Sequence, residues 1–278
     1  MPEVSVIIPT YNRREFVREA LASVYAQTFL DFELIVVDDG STDDTEAVVH
    51  EFSEARYLWQ ENRGVSAARN AGAAASCGPL LAFLDSDDLW QPGKLAAQVA
   101  FFQAYPEARI CQTEEIWLRN GIRVNPHRKH RKPSGDIFAR SLELCLVSPS
   151  AVMLRRTFFE QLGGFDENLP ACEDYDLWLR IAVQEPVHLL NEPLVIKRGG
   201  HADQLSHRFW GMDRFRVHAL SKLLDSGTLS LEQRAQAVAT LQAKCAILVQ
   251  GAQKRGSGGE EYARLAAVHR AEMMNDER

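Results

Sequence analysis

The first hundred residues alternate between two hydrophobic periods, and this constrains the fold more than any other feature of the chain. Residues 4–8 form a short apolar run ending at Pro9, residues 34–37 form another stopped by Asp38-Asp39-Gly40, and residues 80–84 form a third. A shorter strand is expected at 57–59. Between these runs, residues 13–27 place Phe16, Val17, Ala20, Leu21 and Val24 at helical spacing, and residues 65–75 form an Ala-rich helix. Continuous apolar runs of this length mark strands buried on both faces. Strands separated by such helices build βαβ units and a parallel sheet, so the expected class is α/β.

Ser41, Thr42 and Asp43 are available to cap the helix after the second strand. Pro92 suits the first turn of another, with Leu95, Val99 and Phe102 on its face. Residues 109–198 are mixed, with strand-like pieces at 116–118, 151–154 and 195–197. The basic stretch His127-Arg128-Lys129-His130-Arg131-Lys132 reads as an exposed loop, either solvated or turned toward an anionic acceptor. Beyond about residue 201 the strands stop. Leu231, Ala235, Val238, Leu241, Cys245, Leu248 and Ala252 define a one-faced helix, a glycine-rich break follows at 255–259, and residues 261–273 can form another helix. These helices either cover the core or pair into a homodimer.

With 278 residues the chain can bury a core without staples. Its net charge of -7 excludes a duplex nucleic-acid binder steered by a basic field. Cys77, Cys111, Cys145, Cys172 and Cys245 are odd in number, scattered and without a C-x-x-C pair, which points to reduced thiols and a cytoplasmic setting. The start of the chain leaves no room for a signal peptide, and no apolar run approaches the ~20 residues of a membrane span. Contact at the inner face of a membrane stays open.

Ligands of an open parallel sheet collect beyond the carboxyl ends of its strands. Those ends read Pro9-Thr10-Tyr11-Asn12, Asp38-Asp39-Gly40-Ser41, Asn62-Arg63-Gly64 and Asp85-Ser86-Asp87-Asp88. A G-x-G-x-x-G fingerprint and a P-loop are both absent, so the phosphates of a nucleotide need another neutraliser. Asp85 and Asp87, two apart on extended chain, point the same way and suit magnesium or manganese, although D-x-D is also a common turn or cap. Asp38 and Asp39 could accept a nucleobase N–H or bond local amides in a turn. Arg69 faces solvent, a phosphate or the acidic loops. Glu173 and Asp174 open a helix, as dipole partners or as a general base.

Together, residues 4–12, 38–45, 62–70, 85–88, 163–167 and 173–180 have the order and spacing of one family. The chain resembles the family-two inverting glycosyltransferases of the GT-A fold over residues 3–200, short of the C-terminal helices. The resemblance implies a mixed, Rossmann-like sheet flanked by helices. It implies a transferase domain over 1–200, with a nucleotide half to about 108 and an acceptor half over 109–200, and a helical extension over 201–278. Pro9, Thr10, Tyr11 and Asp39 would surround the base, Arg69 would reach the nucleotide side of the donor, and Asp85 would approach the ribose. Asp87 would ligate a divalent cation bridging the diphosphate, with His201 in Arg198-Gly199-Gly200-His201 as a second ligand or merely an exposed loop histidine. Asp174 would be the catalytic base and Glu173 the next candidate. The implied donor is a nucleotide diphosphate sugar, UDP-linked, and the acceptor a saccharide or lipid-linked hydroxyl in cell-surface polysaccharide assembly. A pyrophosphorylase would need a Gly-rich first loop, and a glycosidase would leave the nucleotide-like strand ends unexplained. A catalytically silent nucleotide-sugar-binding protein of the same fold is the alternative.

Overall fold

A computed structural model describes residues 1–125, 127–201, 209, 211–256 and 258–276. Its first half follows the alternation of the sequence: β1 (Val4–Thr10), α1 (Arg14–Tyr25), β2 (Phe32–Asp38), α2 (Thr45–His50), β3 (Ala55–Trp59), α3 (Val65–Ala75) and β4 (Leu80–Phe83). The second half comprises β5 (Leu89–Trp90), α4 (Lys94–Ala104), β6 (Ile110–Arg119), β7 (Ile122–Val124), α5 (Phe138–Glu143), β8 (Val152–Arg155), α6 (Arg156–Gln161), α7 (Glu173–Gln184) and β9 (His188–Gly199). Helices α8 (Asp213–Asp225), α9 (Leu231–Lys254) and α10 (Glu260–Asp276) complete it.

The strands form one sheet in the order β3-β2-β1-β4-β8-β6-β9-β5, with β7 paired to β6. The sheet is parallel from β3 to β4, as the βαβ units of the first hundred residues predict, and β8 then joins β4 antiparallel, which gives the mixed sheet that the resemblance implies. β1 also continues through Pro9 to Thr10. Its pairing with β4 ends at Ile7, so Pro9 lies where only β2 runs alongside, an edge-like position that tolerates a missing N–H.

Alternation within the strands sorts the core. Val4, Val6 and Ile8 of β1 face α1, α2 and α4, whereas Ile7, Leu81 and Phe83 pack with the α6–α7 side. Helix α3 lies so close to β1 that a Cβ on Gly72 would sit 2.5 Å from Ile7 Cγ2 and 3.1 Å from Val37 Cγ2. In an open helix Gly→Ala gains up to ~1 kcal/mol. Here overpacking at ~1–3 kcal/mol outweighs it. Gly72→Ala is therefore expected to lower the urea midpoint, and an unchanged or raised midpoint would show that β1 yields to the methyl group.

Of the expected caps, Asp43 accepts the Thr45 N–H at 3.1 Å, while Ser41 and Thr42 turn instead to Asn12 in the loop after β1. The one-faced C-terminal helix is α9. Val238, Leu241, Cys245 and Leu248 are buried in the same core as α5, α7 and α8, while Leu231, expected on that face, is 70% exposed. No helix among the described residues is long and apolar enough to cross a membrane.

Candidate active site

The carboxyl ends of β1, β2 and β4 open into a cleft of about 1090 Å³, closed from the other side by the start of α7 and the end of β9. Pro9, Thr10, Tyr11, Asp39, Arg69, Asp85, Asp87, Glu173 and Asp174 all line it. On the first wall, Thr10 Oγ1 is buried without a hydrogen-bond partner among the described residues. The Asp39 carboxylate accepts from Arg63 N at 2.9 Å, Gln60 Nε2 at 2.7 Å and Gly64 N at 2.8 Å. It thus pins the loop that opens α3 and retains acceptor capacity for one further donor. Asp38 is turned away, bonded to Ser41 N and the Tyr57 hydroxyl.

Arg69, 3% exposed, reaches the acidic loops: Nη2 donates to Asp85 Oδ1 at 2.6 Å and Nη1 to Glu173 Oε1 at 2.7 Å, with the guanidinium over the Phe165 ring. One side chain therefore ties the β4 loop to the start of α7. Burial and the neighbouring Asp174 push the Glu173 carboxyl above its usual range, and Arg69 opposes them. Glu173 anchors Arg69 through Oε1. Asp174, half-buried, projects into the cleft. Its Oδ1 accepts from Tyr175 N at 2.7 Å and its Oδ2 from the Cys145 thiol at 3.3 Å. Burial and Asp174 keep Cys145 well above the normal thiol range, so it stays a donor. The helix N-terminus adds its own attraction for negative charge at this spot.

Ligand atoms of Asp85, Asp87 and Asp88 lie within 4.8 Å of one another, and His201 Nε2 is 2.8 Å from Asp87 Oδ2. Residues 202–206, the remainder of the histidine's sequence context, lie outside the described residues. The three carboxylates are not equivalent. Burial works against the charge on Asp87, but Arg13 at 2.8 Å and His201 outweigh it and hold this carboxyl below its usual range. Asp88 is raised well above that range by burial, then by Asp87 and Asp85, and its oxygens accept from Ser150 Oγ and Arg198 N. Carboxylate oxygens so close together fit a divalent cation such as magnesium or manganese, with Asp87 as the best carboxylate ligand, while His201 stands against Asp87 outside the group of three. Arg13 stands at the same oxygen and competes for it.

Arg13, Lys197, Arg198 and Cys145 were not singled out from the sequence. Lys197 and Arg198 stand at the carboxyl end of β9, the same kind of position as the acidic loops after β2 and β4. Arg198 bonds the Asp87 carbonyl and pairs with Glu19, and Lys197 lines the cleft beside Asp85 and Asp88. Cys145 carries no sequence signal.

A mixed sheet with a nucleotide-sized cleft and an acidic loop after its fourth strand defines a GT-A glycosyltransferase scaffold. Residues 5–163 match the model of glycosyl transferase family 2, and residues 134–224 match that of a glycosyltransferase-like family 2. The chain belongs to family 2. The second match extends into α8, so the likeness reaches further than the expected limit at residue 200. The chain is 32% identical to the Escherichia coli UDP-Glc:alpha-D-GlcNAc-diphosphoundecaprenol beta-1,3-glucosyltransferase WfgD, over 68% of this chain and 73% of that one. Against a group of uncharacterised Rickettsia glycosyltransferases at 30–32% identity, it spans between 31% and 66% of the relative's length. Two solved structures share the fold at 20% identity. Staphylococcus aureus TarS with UDP-GlcNAc has a TM-score of 0.68, covering 88% of this chain and 81% of that one. Pyrobaculum calidifontis mannosyltransferase PcManGT with GDP-Man and Mn2+ has a TM-score of 0.62, covering 96% and 86%.

Proposed function

We propose that the protein moves a sugar from a nucleoside diphosphate sugar, UDP-linked, to an acceptor hydroxyl, with inversion at the anomeric carbon. The carrying observation is a single carboxylate, Asp174, facing the acidic β4 loop across one cleft without an ion-pair partner among the described residues. Asp174 takes the acceptor proton, and the acceptor oxygen bonds to the anomeric carbon. The bond to the diphosphate breaks as this happens, its electron pair leaving on the phosphate oxygen. One base and one displacement give inversion. The loop after β1 and Asp39 hold the base, Asp85 approaches the ribose, and Arg69 fixes Asp85 and Glu173. A divalent cation on Asp87, with His201, would neutralise the diphosphate as it departs.

The UDP-Glc and lipid diphosphate in the E. coli relative's name and the UDP-GlcNAc bound to TarS support a UDP donor and a saccharide or lipid-linked acceptor, and the Mn2+ bound with GDP-Man in PcManGT supports a divalent metal. In this reading residues 1–200 are the transferase unit, with the nucleotide half ending near 108, and the enzyme acts in the cytoplasm at the inner membrane face.

The test is calorimetric titration with UDP, GDP, CDP and dTDP, each with and without manganese. Manganese-dependent binding of one diphosphate is expected. Binding of none would leave a silent member of the fold. Asp87→Ala should weaken the manganese-dependent affinity by at least ~10-fold. Unchanged affinity would remove Asp87 as the ligand.

A further inference from the structure

The chain is acidic overall, yet residues 127–132 place four Lys and Arg side chains in six successive positions outside the donor cleft. Residues 127–132 wrap the end of β6, and between them lies a second pocket of about 240 Å³. Its floor is already neutral. Glu115 is buried, paired with Lys132 at 3.1 Å and bonded by the Trp117 indole N–H at 2.9 Å. Burial opposes its charge, but Lys132 and then Lys197 hold its carboxyl down at about 2, so it stays ionised and balanced. The rim is not neutral. Of the residues that line it, Arg128 and Arg131 are exposed and have no ion pair among the described residues, and the exposed Lys129 lies between them in the chain, against one half-buried carboxylate, Glu114. Holding three such cations together without counter-ions costs stability through mutual repulsion unless a polyanion relieves it.

The pocket is a neighbour of the donor cleft. Lys197 lines that cleft, and its Nζ stands 5.7 Å from the centroid of the Trp117 ring, which lines the pocket. Trp117 and Lys197 are register partners on β6 and β9, and Ser148 bonds both Glu115 and Lys197. The partition between the two spaces is therefore essentially one layer of side chains. At 240 Å³ the pocket falls below the ~300 Å³ lower end of drug-sized sites. That suits a compact charged group rather than a sugar ring with substituents.

We propose that this pocket is an anion site for a phosphate or diphosphate ester, the charged end of the acceptor whose hydroxyl is presented to Asp174. This rests on the transferase reading for the word acceptor, but the anion site is testable without it. Arginine guanidinium groups match phosphate oxygens in geometry and charge, and Arg128 and Arg131 supply two of them on the rim.

The experiment titrates the full chain at low salt with two probes, glucose 1-phosphate and geranyl diphosphate, and separately with UDP. Two charge-matched variants are compared. Arg128→Glu/Arg131→Glu alters the pocket, and Arg119→Glu/Arg123→Glu makes the same charge change on the neighbouring β6–β7 hairpin. The pocket variant should weaken both probes by at least ~10-fold and leave UDP binding intact, while the hairpin variant changes probe affinity only slightly. Tighter binding of the prenyl ester would mark a lipid-linked source, and equal binding a soluble one. Equal losses in the two variants would overturn the proposal in favour of a diffuse field, as would wild-type affinity in the pocket variant. Binding of the wild type to phosphatidylglycerol vesicles but to neither probe would overturn it in favour of a membrane surface. Probes that bind while UDP does not would sink the transferase reading and leave the anion site standing.

Discussion

Asp174→Asn is expected to retain nucleotide diphosphate binding and to lose sugar transfer by at least ~10²-fold, the contribution of a positioned general base. The substitution is nearly isosteric and keeps the acceptor oxygen for Tyr175 N, so the start of α7 should not shift. The carboxylate oxygen facing Cys145 is what matters. In the proposed reaction it takes the acceptor's proton, which an amide cannot do. The measurement is single-turnover transfer beside a UDP titration of the same protein. Near-normal turnover would move the base elsewhere. Glu173, held by Arg69 at 2.7 Å, would first have to give up that pair.

The second large effect is expected at Arg69. Its side chain is nearly inaccessible and pairs with two carboxylates, so Arg69→Met leaves Glu173 buried without its cation. Breaking a buried pair from one side costs ~3–5 kcal/mol. In a chain of this size that lowers the melting temperature by on the order of 10 °C. The deficit should also depend on pH. Glu173 already has its carboxyl raised by burial and Asp174, and loss of Arg69 raises it further. A native state that binds a proton the unfolded state releases loses stability as pH rises from the unfolded value toward the folded one. The variant should therefore be closest to wild type in acid and fall behind toward neutral pH. Arg69→Met/Glu173→Gln should recover much of the loss, because position 173 then no longer buries a charge without its cation. A single-variant loss below ~1 kcal/mol, flat with pH, would mean that water replaces the arginine.

What could be read from the sequence was local. Four strand ends and the start of α7 stood out because each is a run of neighbouring residues in which an apolar stretch meets turn or acidic residues. Helix α3 has the expected bounds because Gly64, at φ 92°, supplies a backbone conformation that stops the preceding chain and opens the helix. What depends on distant partners could not be read that way. Nothing near Arg69 announces Glu173, 104 residues on, and the Asp88–Arg198 bond spans 110. The antiparallel β8 was hidden for a related reason. Its four residues look like any buried strand, and only its partner decides direction. His201 came from resemblance, and the structure brings it against Asp87 across 114 residues.

The insertion of β8 beside β4 also has a consequence for synthesis. Until residues 152–155 leave the ribosome, β4 is an open edge of unpaired backbone carrying apolar side chains, and the acidic loop after it lacks Ser150, Arg198 and His201. The first 108 residues are thus half a cleft rather than a self-sufficient module. Released alone, they would offer a sticky strand to other chains. Completion of the cleft is therefore a late event on the ribosome, reached only when β9 has been made and the long-range contacts can close.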